Sequence, residues 1–251
     1  ARKVDMLTAL APLTTAMFAN SPISGRKATG YASTRALSWT RCDPDRCGVP
    51  EVLRQGYSHE RWVDYLLDVP MMFVKRDGKW LDPAGRCFRQ WLEQPIDGHS
   101  PTWADWMLHE TSVFPEVRVK RTIEVRGADA CPLPIALAGI TLWTALLYDE
   151  VALDEATVLA RDFASEGSHA ERFMMAVREG LHAQGKRRYS DWARDLVDIA
   201  AAGLSRSRPS ERALLEPLEA MSVHGDHPGV AALRIFRESP SCGDFLTRVL
   251  Y

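Results

Sequence analysis

Residues 113–129 read Val-Phe-Pro-Glu-Val-Arg-Val-Lys-Arg-Thr-Ile-Glu-Val-Arg-Gly-Ala-Asp, and the alternation inside this stretch predicts a β-strand. Side chains on a strand point alternately to its two faces. Between residues 117 and 126 one face is apolar with a single break, and its members are Val117, Val119, Arg121, Ile123 and Val125. The other face is polar, and its members are Arg118, Lys120, Thr122, Glu124 and Arg126. The pattern therefore predicts a half-buried strand with one polar face.

The polar face of this strand has two interpretations. Glu124 is its one carboxylate and lies among the cations of Arg118, Lys120 and Arg126. Such a row can clamp phosphate groups, through a metal ion held by the carboxylate and through direct arginine contacts. The alternative is an antiparallel strand whose polar face lies in water and whose charges serve solubility. The pattern alone leaves both interpretations open.

The composition of the 251-residue chain is that of an ordinary globular protein, with 46% hydrophobic and 25% charged residues. The net charge of −2 provides no bulk attraction to nucleic acid or to an anionic membrane. No apolar run approaches the roughly 20 residues that a membrane-spanning helix needs. The first residues lack the basic-then-apolar layout of a signal peptide. We therefore expect a cytoplasmic protein, with no nucleic-acid or membrane partner, whose function comes from local sites.

The cysteines are five in number and scattered along the chain, at Cys42, Cys47, Cys87, Cys131 and Cys242. An odd, scattered set argues against a disulfide framework and for a reducing compartment. Cys42 and Cys47 lie five residues apart in a polar loop, but structural zinc requires four ligands and no second pair is near. The seven histidines show no metal-binding spacing either, so the sequence predicts no zinc site.

Local signals before residue 132 predict a mixture of helices and strands. Ser58 is a candidate N-cap for one helix, and Asp77-Gly78 is a strong signal for a β-hairpin between residues 71–74 and 79–81. The predicted helices cover residues 4–20, 59–68, 88–92 and 101–110, and the predicted strands cover residues 30–39 and 117–126.

After Pro134 the strand signals disappear and helical patterns follow one another to the end of the chain. Residues 135–148 are almost wholly apolar and predict a buried helix. Ser168 and Glu171 have the spacing of a capping box. The whole pattern predicts an α+β fold, with a mixed portion at 1–132 and an all-helical portion at 133–251.

Three stretches, taken in order, carry the most specific signal in the chain. They include the runs Ala-Asn-Ser-Pro, Asp-Val-Pro-Met-Met and Arg-Gly-Ala-Asp. The first covers residues 18–23, 30–39 and 43–48, the second 65–74 and 77–82, and the third 114–129 and 146–149. In order and spacing they resemble glutamate–cysteine ligases of the plant and proteobacterial type. Two pieces, Ala-Asn-Ser-Pro and the segment 35–39, also resemble related carboxylate–amine ligases.

The resemblance implies a fold and a chemistry. Such enzymes use ATP and magnesium to phosphorylate the γ-carboxylate of glutamate, and the amino group of cysteine then attacks the acyl phosphate. The product, γ-glutamylcysteine, implies a role in glutathione biosynthesis. The mixed portion is then expected to be the C-terminal half of a catalytic domain, with part of a glutamine-synthetase-like antiparallel sheet.

The resemblance also implies roles for the charged residues. Glu124 is expected to bind magnesium, which prefers oxygen ligands, and Arg126 to hold phosphate oxygens of ATP, so both are candidate catalytic residues. Lys120 shares their face and is expected to add phosphate-facing charge. Arg35 is expected to bind the α-carboxylate of glutamate, whereas its spacing alone favours an ion pair with an aspartate of the 43–48 loop.

Four further residues are candidates for substrate binding. Arg46 is expected either to contact substrate or to form a salt bridge within its loop. Asn20 and Ser21 are expected to line the glutamate pocket or simply to end the preceding helix. Met72 is expected to lie near the incoming cysteine, at a position where the family usually has a tyrosine, and this difference leaves another amine acceptor as the alternative.

The length of the chain leads to a further expectation. The family's catalytic sheet begins well before the residue that is Ala1 here, so an upstream half or a complementing subunit is expected to bring further metal-binding carboxylates. A homodimer is a second expected assembly. Three hypotheses follow: a glutamate–cysteine ligase, a related ligase with another amine acceptor, and a non-catalytic half that binds a partner.

Overall fold

The structure is a computed structural model that describes residues 1–250, so Tyr251, at the end of the predicted helical portion, lies outside the described residues. The chain forms two compact units whose segments alternate in sequence. The first unit comprises Ala1–Thr8 and Trp39–Arg126, and the second comprises Ala9–Ser38 and Gly127–Tyr251. The combination of helices and small sheets confirms the α+β class. The division at residue 132 stays a prediction about domain organisation.

Helices and short strands follow one another along the chain. The α-helices are α1 (Arg2–Met17), α2 (Thr34–Trp39), α3 (Glu51–Arg54), α4 (His59–Asp68), α5 (Phe88–Glu93), α6 (Trp103–Glu110), α7 (Leu133–Tyr148), α8 (Glu150–Ala164), α9 (His169–Glu179), α10 (Tyr189–Ser207), α11 (Glu216–His224), α12 (Pro228–Glu238) and α13 (Cys242–Leu250). The strands are β1 (Ile23–Ser24), β2 (Lys27–Ala28), β3 (Cys47–Gly48), β4 (Val74–Arg76), β5 (Lys79–Leu81), β6 (Phe114–Pro115), β7 (Val117–Val119) and β8 (Ile123–Val125). They form the two-stranded sheets β1–β2, β3–β6, β4–β5 and β7–β8, of which β3–β6 is parallel.

The first unit confirms two predictions made from local signals. Helix α4 begins after Ser58, whose side chain accepts a hydrogen bond from the backbone N–H of Arg61 at 3.2 Å. Strands β4 and β5 pair antiparallel across Asp77-Gly78, and both turn residues adopt left-handed backbone angles, with φ values of 48° and 77°. The hairpin contributes Val74 of β4 to a buried cluster that also contains Met71, Phe88, Trp91 and Ile96.

The prediction of one continuous strand over 117–126 is wrong, because the chain folds back on itself. Strands β7 and β8 form an antiparallel hairpin in which Val117 faces Val125 and Arg118 faces Glu124. Arg121, the break in the apolar pattern, lies at the tip between the strands. Cross-strand partners lie on the same face of a sheet. The alternation therefore still placed the polar residues on one face, but pairing makes them direct neighbours.

The prediction of a strand over 30–39 is also wrong, because a helix cap overrides the strand pattern. The side chain of Ser33 accepts the backbone N–H of Ala36 at 3.0 Å and begins α2. Ala36 and Leu37 then bury their side chains against Phe173 and Val177 of α9. The apolar residues that suggested an alternating strand are therefore the buried side of a short helix.

Within the second unit, residues 133–250 form helices and connecting turns, as the helical patterns after Pro134 predicted. Helix α10 packs against α7, α8 and α11, and α9 begins with the predicted capping box of Ser168 and Glu171. The expected full burial of α7 is corrected, since Leu142 and Leu146 are enclosed but Leu133, Ile140 and Tyr148 are exposed. Among the described residues no single helix meets the length and hydropathy needed to cross a membrane, although α7 and α8 meet them together with a 101° bend between them.

His109 gives the first unit a pH-dependent contribution to stability. Its imidazole is buried, and Nε2 donates to the carbonyl of Leu66 at 2.6 Å. Burial lowers the pKa of His109 below 6.5, with the hydrogen bond to Leu66 opposing. Below pH 6.5 the unfolded chain therefore binds more protons than the folded chain, and stability falls as pH decreases.

We expect His109→Gln, which keeps an amide donor near Nε2 but does not titrate, to reduce this pH dependence. The free energy of unfolding would then fall less between pH 6.5 and 5, by at most about 1.4 kcal/mol per pH unit for one group. Urea denaturation at several pH values measures the difference. If the free energy of unfolding depends on pH equally in His109→Gln and wild type, His109 is not a source of the pH dependence.

Candidate functional site

The hairpin β7–β8 gathers three cationic side chains around the carboxylate of Glu124. Oε2 of Glu124 lies 2.7 Å from Nη2 of Arg118 and 3.5 Å from Nη1 of Arg126, and Oε1 lies 3.1 Å from Nζ of Lys120. Three cations around one carboxylate leave an excess of positive charge on this face. The structure thus brings together Glu124, Arg126 and Lys120, all predicted from the sequence. With Arg118 they form a group of four residues that we call the Glu124 cluster.

Both arginines of the Glu124 cluster contact the same aromatic ring. The guanidinium groups of Arg118 and Arg126 lie 5.9 Å and 5.7 Å from the ring centre of Phe114. Arg118 also donates Nη1 to the carbonyls of Thr111 and Val113 at 3.2 Å and 3.1 Å. Cation–π contact and backbone acceptors fix these cations before any ligand arrives.

The charge state of Glu124 follows from its surroundings. Partial burial raises the pKa of this carboxyl, but hydrogen bonds from Arg118 and Lys120 outweigh burial, so the pKa lies below its ordinary value of 4.5. Glu124 is therefore ionised at neutral pH. Its side chain is 29% exposed, which leaves the carboxylate within reach of a ligand from solvent.

Asp129 forms a second network, within the second unit. Its side chain is only 3% exposed and lies 3.8 Å from Nη1 of Arg35. Oδ2 accepts the backbone N–H of Asn20 and the hydroxyl of Ser21, both at 2.7 Å, and Oδ1 accepts the hydroxyl of Ser33 at 2.9 Å. Three predicted glutamate-binding residues, Asn20, Ser21 and Arg35, thus meet at one buried carboxylate.

Sequence reasoning missed Asp129 as the centre of this network. Its bonds to Asn20 and Ser21 join residues 109 and 108 positions apart, and no local periodicity signals such a contact. The one available signal was its place at the end of the Arg-Gly-Ala-Asp run. Arg35 forms an ion pair with Asp129, which is not one of the aspartates of the 43–48 loop that its spacing favoured, and pairing with that loop stays a prediction.

Arg46 and Met72, also predicted to contact substrate, have other surroundings. Nε of Arg46 donates to Oδ2 of Asp43 at 2.7 Å, so the predicted salt bridge within the loop is present. The guanidinium is buried, and its Nη1 has no hydrogen-bond partner among the described residues. The side chain of Met72 is half exposed. Direct substrate contact by either residue stays a prediction.

A cavity of about 790 Å³ opens in the first unit along the segment from Trp39 to Pro70. Cys42 and Cys47 line it, whereas the residues of the Glu124 cluster are not among its lining. Burial, followed by the nearby Cys42, raises the pKa of the Cys47 thiol to about 11. Burial likewise raises the pKa of Cys131 to about 12. Neither Cys47 nor Cys131 is a nucleophilic thiolate at neutral pH.

The donor atoms of the Glu124 cluster fit magnesium only in part. Within residues 1–250 no three His, Cys, Asp or Glu side chains are grouped so as to hold a metal ion. Protein-bound magnesium commonly takes one or two carboxylates together with substrate phosphates. Glu124 supplies one such carboxylate, and Lys120 and Arg126 favour phosphate oxygens. The cluster therefore fits a magnesium–phosphate complex better than a bare ion.

Comparison with known proteins gives a consistent result. The model of glutamate–cysteine ligase family 2 (GCS2) matches residues 1–241. The chain is 39% identical over 245 residues to the chloroplastic glutamate–cysteine ligase of Nicotiana tabacum, covering 94% of this chain and 46% of that protein. Identity is 37% over 240 residues to glutamate–cysteine ligase A of Oryza sativa subsp. indica, also chloroplastic, covering 94% and 49%. The chain spans about half the length of the curated relatives it matches.

Proposed function

The chain belongs to glutamate–cysteine ligase family 2, and from this premise we propose that it takes part in joining the γ-carboxylate of glutamate to the amino group of cysteine. The observation that carries the proposal is the Glu124 cluster, in which Arg118, Lys120 and Arg126 concentrate positive charge on a partly exposed face. Phosphoryl transfer requires cations fixed where phosphate charge develops. The cluster therefore supports ATP as the phosphoryl donor.

The proposed reaction has two steps. An oxygen of the glutamate γ-carboxylate attacks the γ-phosphorus of ATP, which forms γ-glutamyl phosphate and releases ADP. The amino nitrogen of cysteine then attacks the acyl carbon, inorganic phosphate leaves with the electrons of the C–O bond, and the nitrogen loses a proton. Arg126 and Lys120 stabilise charge on the transferred phosphoryl oxygens. Glu124 orients these cations and is the candidate ligand for magnesium, which when bound neutralises phosphate charge.

The Asp129 network supports a role in holding glutamate. A guanidinium binds a carboxylate through two parallel hydrogen bonds, so Arg35 is the candidate partner of the α-carboxylate. Asn20 and Ser21 are candidates to line the same pocket through their side chains. Asp129 contributes by fixing the positions of these groups, since it accepts hydrogen bonds from Asn20 and Ser21.

The assembly that completes the enzyme is also a proposal. The described residues offer one carboxylate of the Glu124 cluster to magnesium, which favours further ligands from a complementing N-terminal half or subunit. In that assembly β7–β8 would extend a glutamine-synthetase-like antiparallel sheet. A homodimer is a second proposed assembly. The five free cysteines are consistent with a reducing compartment such as the cytoplasm.

The test is ligation by the complete protein that contains this chain. With glutamate, cysteine, ATP and Mg²⁺, we expect ADP and γ-glutamylcysteine to form in equal amounts, measured by a coupled assay and by mass spectrometry. Omission of any one substrate is the control and should stop both products. Absence of nucleotide binding in every assembly would instead favour a non-catalytic half that binds a partner.

A second candidate function keeps the reaction and changes the amine acceptor. Met72, half exposed where the family usually has tyrosine, carries this alternative because it removes a hydroxyl that could orient the acceptor. A screen of amines in the presence of glutamate, read by ADP release, separates the two candidates. Cysteine as the clearly preferred acceptor would remove the alternative.

A further inference from the structure

The peptide group between Ala19 and Asn20 is held at both of its ends. The carbonyl oxygen of Ala19 accepts two hydrogen bonds, one from Nδ1 of His227 at 3.0 Å and one from the backbone N–H of Gly229 at 2.9 Å. The N–H of Asn20 donates to Oδ2 of Asp129 at 2.7 Å. A peptide group is planar, so partners on both ends fix the orientation of the plane. The fixed plane sets the backbone direction at Asn20 and so the positions of the side chains of Asn20 and Ser21.

His227 acts as a hydrogen-bond donor in this arrangement. A carbonyl oxygen only accepts, so Nδ1 of His227 must carry the hydrogen. The ring is 6% exposed, and burial lowers its pKa, with the bond to Ala19 opposing. The charged or titratable groups that affect it are His182, Asp226 and Asp129. The neutral imidazole therefore maintains the bond at neutral pH.

Two glycines make room for the buried ring of His227. Gly180 has a φ of +57°, and a Cβ at this residue would lie 2.2 Å from Cδ2 of His227. A Cβ at Gly229 would lie 3.1 Å from both the ring and the carbonyl oxygen of Ala19. Two glycines thus leave space where a side chain would displace the imidazole. The contact with Ala19 is built into the packing of α12 and the turn after α9.

We propose that His227 is a positioning residue for the glutamate-binding segment, and this rests on the function proposed above. It acts through the Ala19–Asn20 peptide and not by touching substrate. Loss of the Nδ1 donor leaves the Ala19 carbonyl with the Gly229 N–H as its remaining donor in this contact, so the peptide plane is held less firmly and Asn20 and Ser21 are positioned less precisely. The effect is expected on glutamate binding, because the Glu124 cluster assigned to phosphoryl transfer is built from other residues.

Substitution at residue 227 in the complete, ligation-competent protein tests the proposal. His227→Leu removes the donor, and His227→Asn places an amide nitrogen close to the position of Nδ1. We expect His227→Leu to raise the KM for glutamate about 10-fold, the value of one hydrogen bond, with kcat and the KM for ATP within about twofold. His227→Asn should stay within about threefold of wild type. His224→Ala, at an exposed position near the end of α11, is the control and should leave these constants within about twofold of wild type.

Amide hydrogen exchange at Asn20 gives a readout that does not depend on activity. Its N–H should exchange faster in His227→Leu than in His227→Asn or wild type.

If His227→Leu does not fold, His227→Gln replaces it. The glutamine amide lies one methylene farther out than that of asparagine, so His227→Gln should also show a raised KM for glutamate. An unchanged glutamate KM in an active His227→Leu enzyme, or failure of His227→Asn to restore it, overturns the proposal. A wild-type protein without glutamate-dependent turnover would contradict the proposed function instead, and exchange at Asn20 would still decide whether His227 holds the peptide.

Discussion

Glu124→Gln is expected to lower kcat for ATP-dependent ligation by about 100- to 1,000-fold while leaving the fold intact. Glutamine keeps the shape and one acceptor oxygen but removes the charge that holds Arg118, Lys120 and Arg126 together. It also removes the carboxylate proposed to bind magnesium. Steady-state ADP release with saturating glutamate and cysteine measures the loss, and the thermal unfolding midpoint reports the fold.

Arg121→Gln is the matched control for this prediction. Arg121 is exposed at the tip of the same hairpin, so its substitution changes the charge of β7–β8 without altering the carboxylate. We expect kcat of this variant within about twofold of wild type, as for ordinary surface changes. Near-normal turnover by Glu124→Gln would instead favour the interpretation of a solvated polar face.

Asp129→Ala is expected to destabilise the fold by about 3–5 kcal/mol, because three donors lose a buried acceptor at roughly 1–3 kcal/mol for each that stays unsatisfied. The substitution leaves the backbone N–H of Asn20 and the hydroxyls of Ser21 and Ser33 without this acceptor, and it removes the carboxylate that lies 3.8 Å from Arg35. Urea denaturation measures the free energy of unfolding. Asp162→Ala, at an exposed position of α8, is the control and should change it by less than about 0.5 kcal/mol.

Asp129→Asn separates the functional effect from the loss of stability. The amide has nearly the same volume and keeps one acceptor oxygen, but it lacks the charge that faces Arg35. We expect a folded protein whose KM for glutamate rises at least about 10-fold, which corresponds to one lost charge-assisted hydrogen bond. A variant with normal glutamate KM would show that Asp129 has a purely structural role.

The parts of the fold that were predicted correctly depend on local chemistry. Ser58 and Ser168 cap helices through bonds to residues three positions later, and Asp77-Gly78 adopts the backbone angles that its composition favours. The segment at 30–39 was predicted wrongly because the cap formed by Ser33 competes with an apparent alternation over too few residues to decide between them.

The sequence by itself determined the family, the α+β class and the polar face that carries Glu124 and Arg126. Capping and alternation depend on residues that are close in the chain, and the order of the motifs can be read directly from it. Only the tertiary structure decided how these residues are held. Pairing of β7 with β8 turned a row of charges into an ion-paired cluster. Asp129 reaches Asn20 across 109 positions, and His227 reaches Ala19 across 208. Such contacts form when separate segments are packed together, and no local periodicity encodes them.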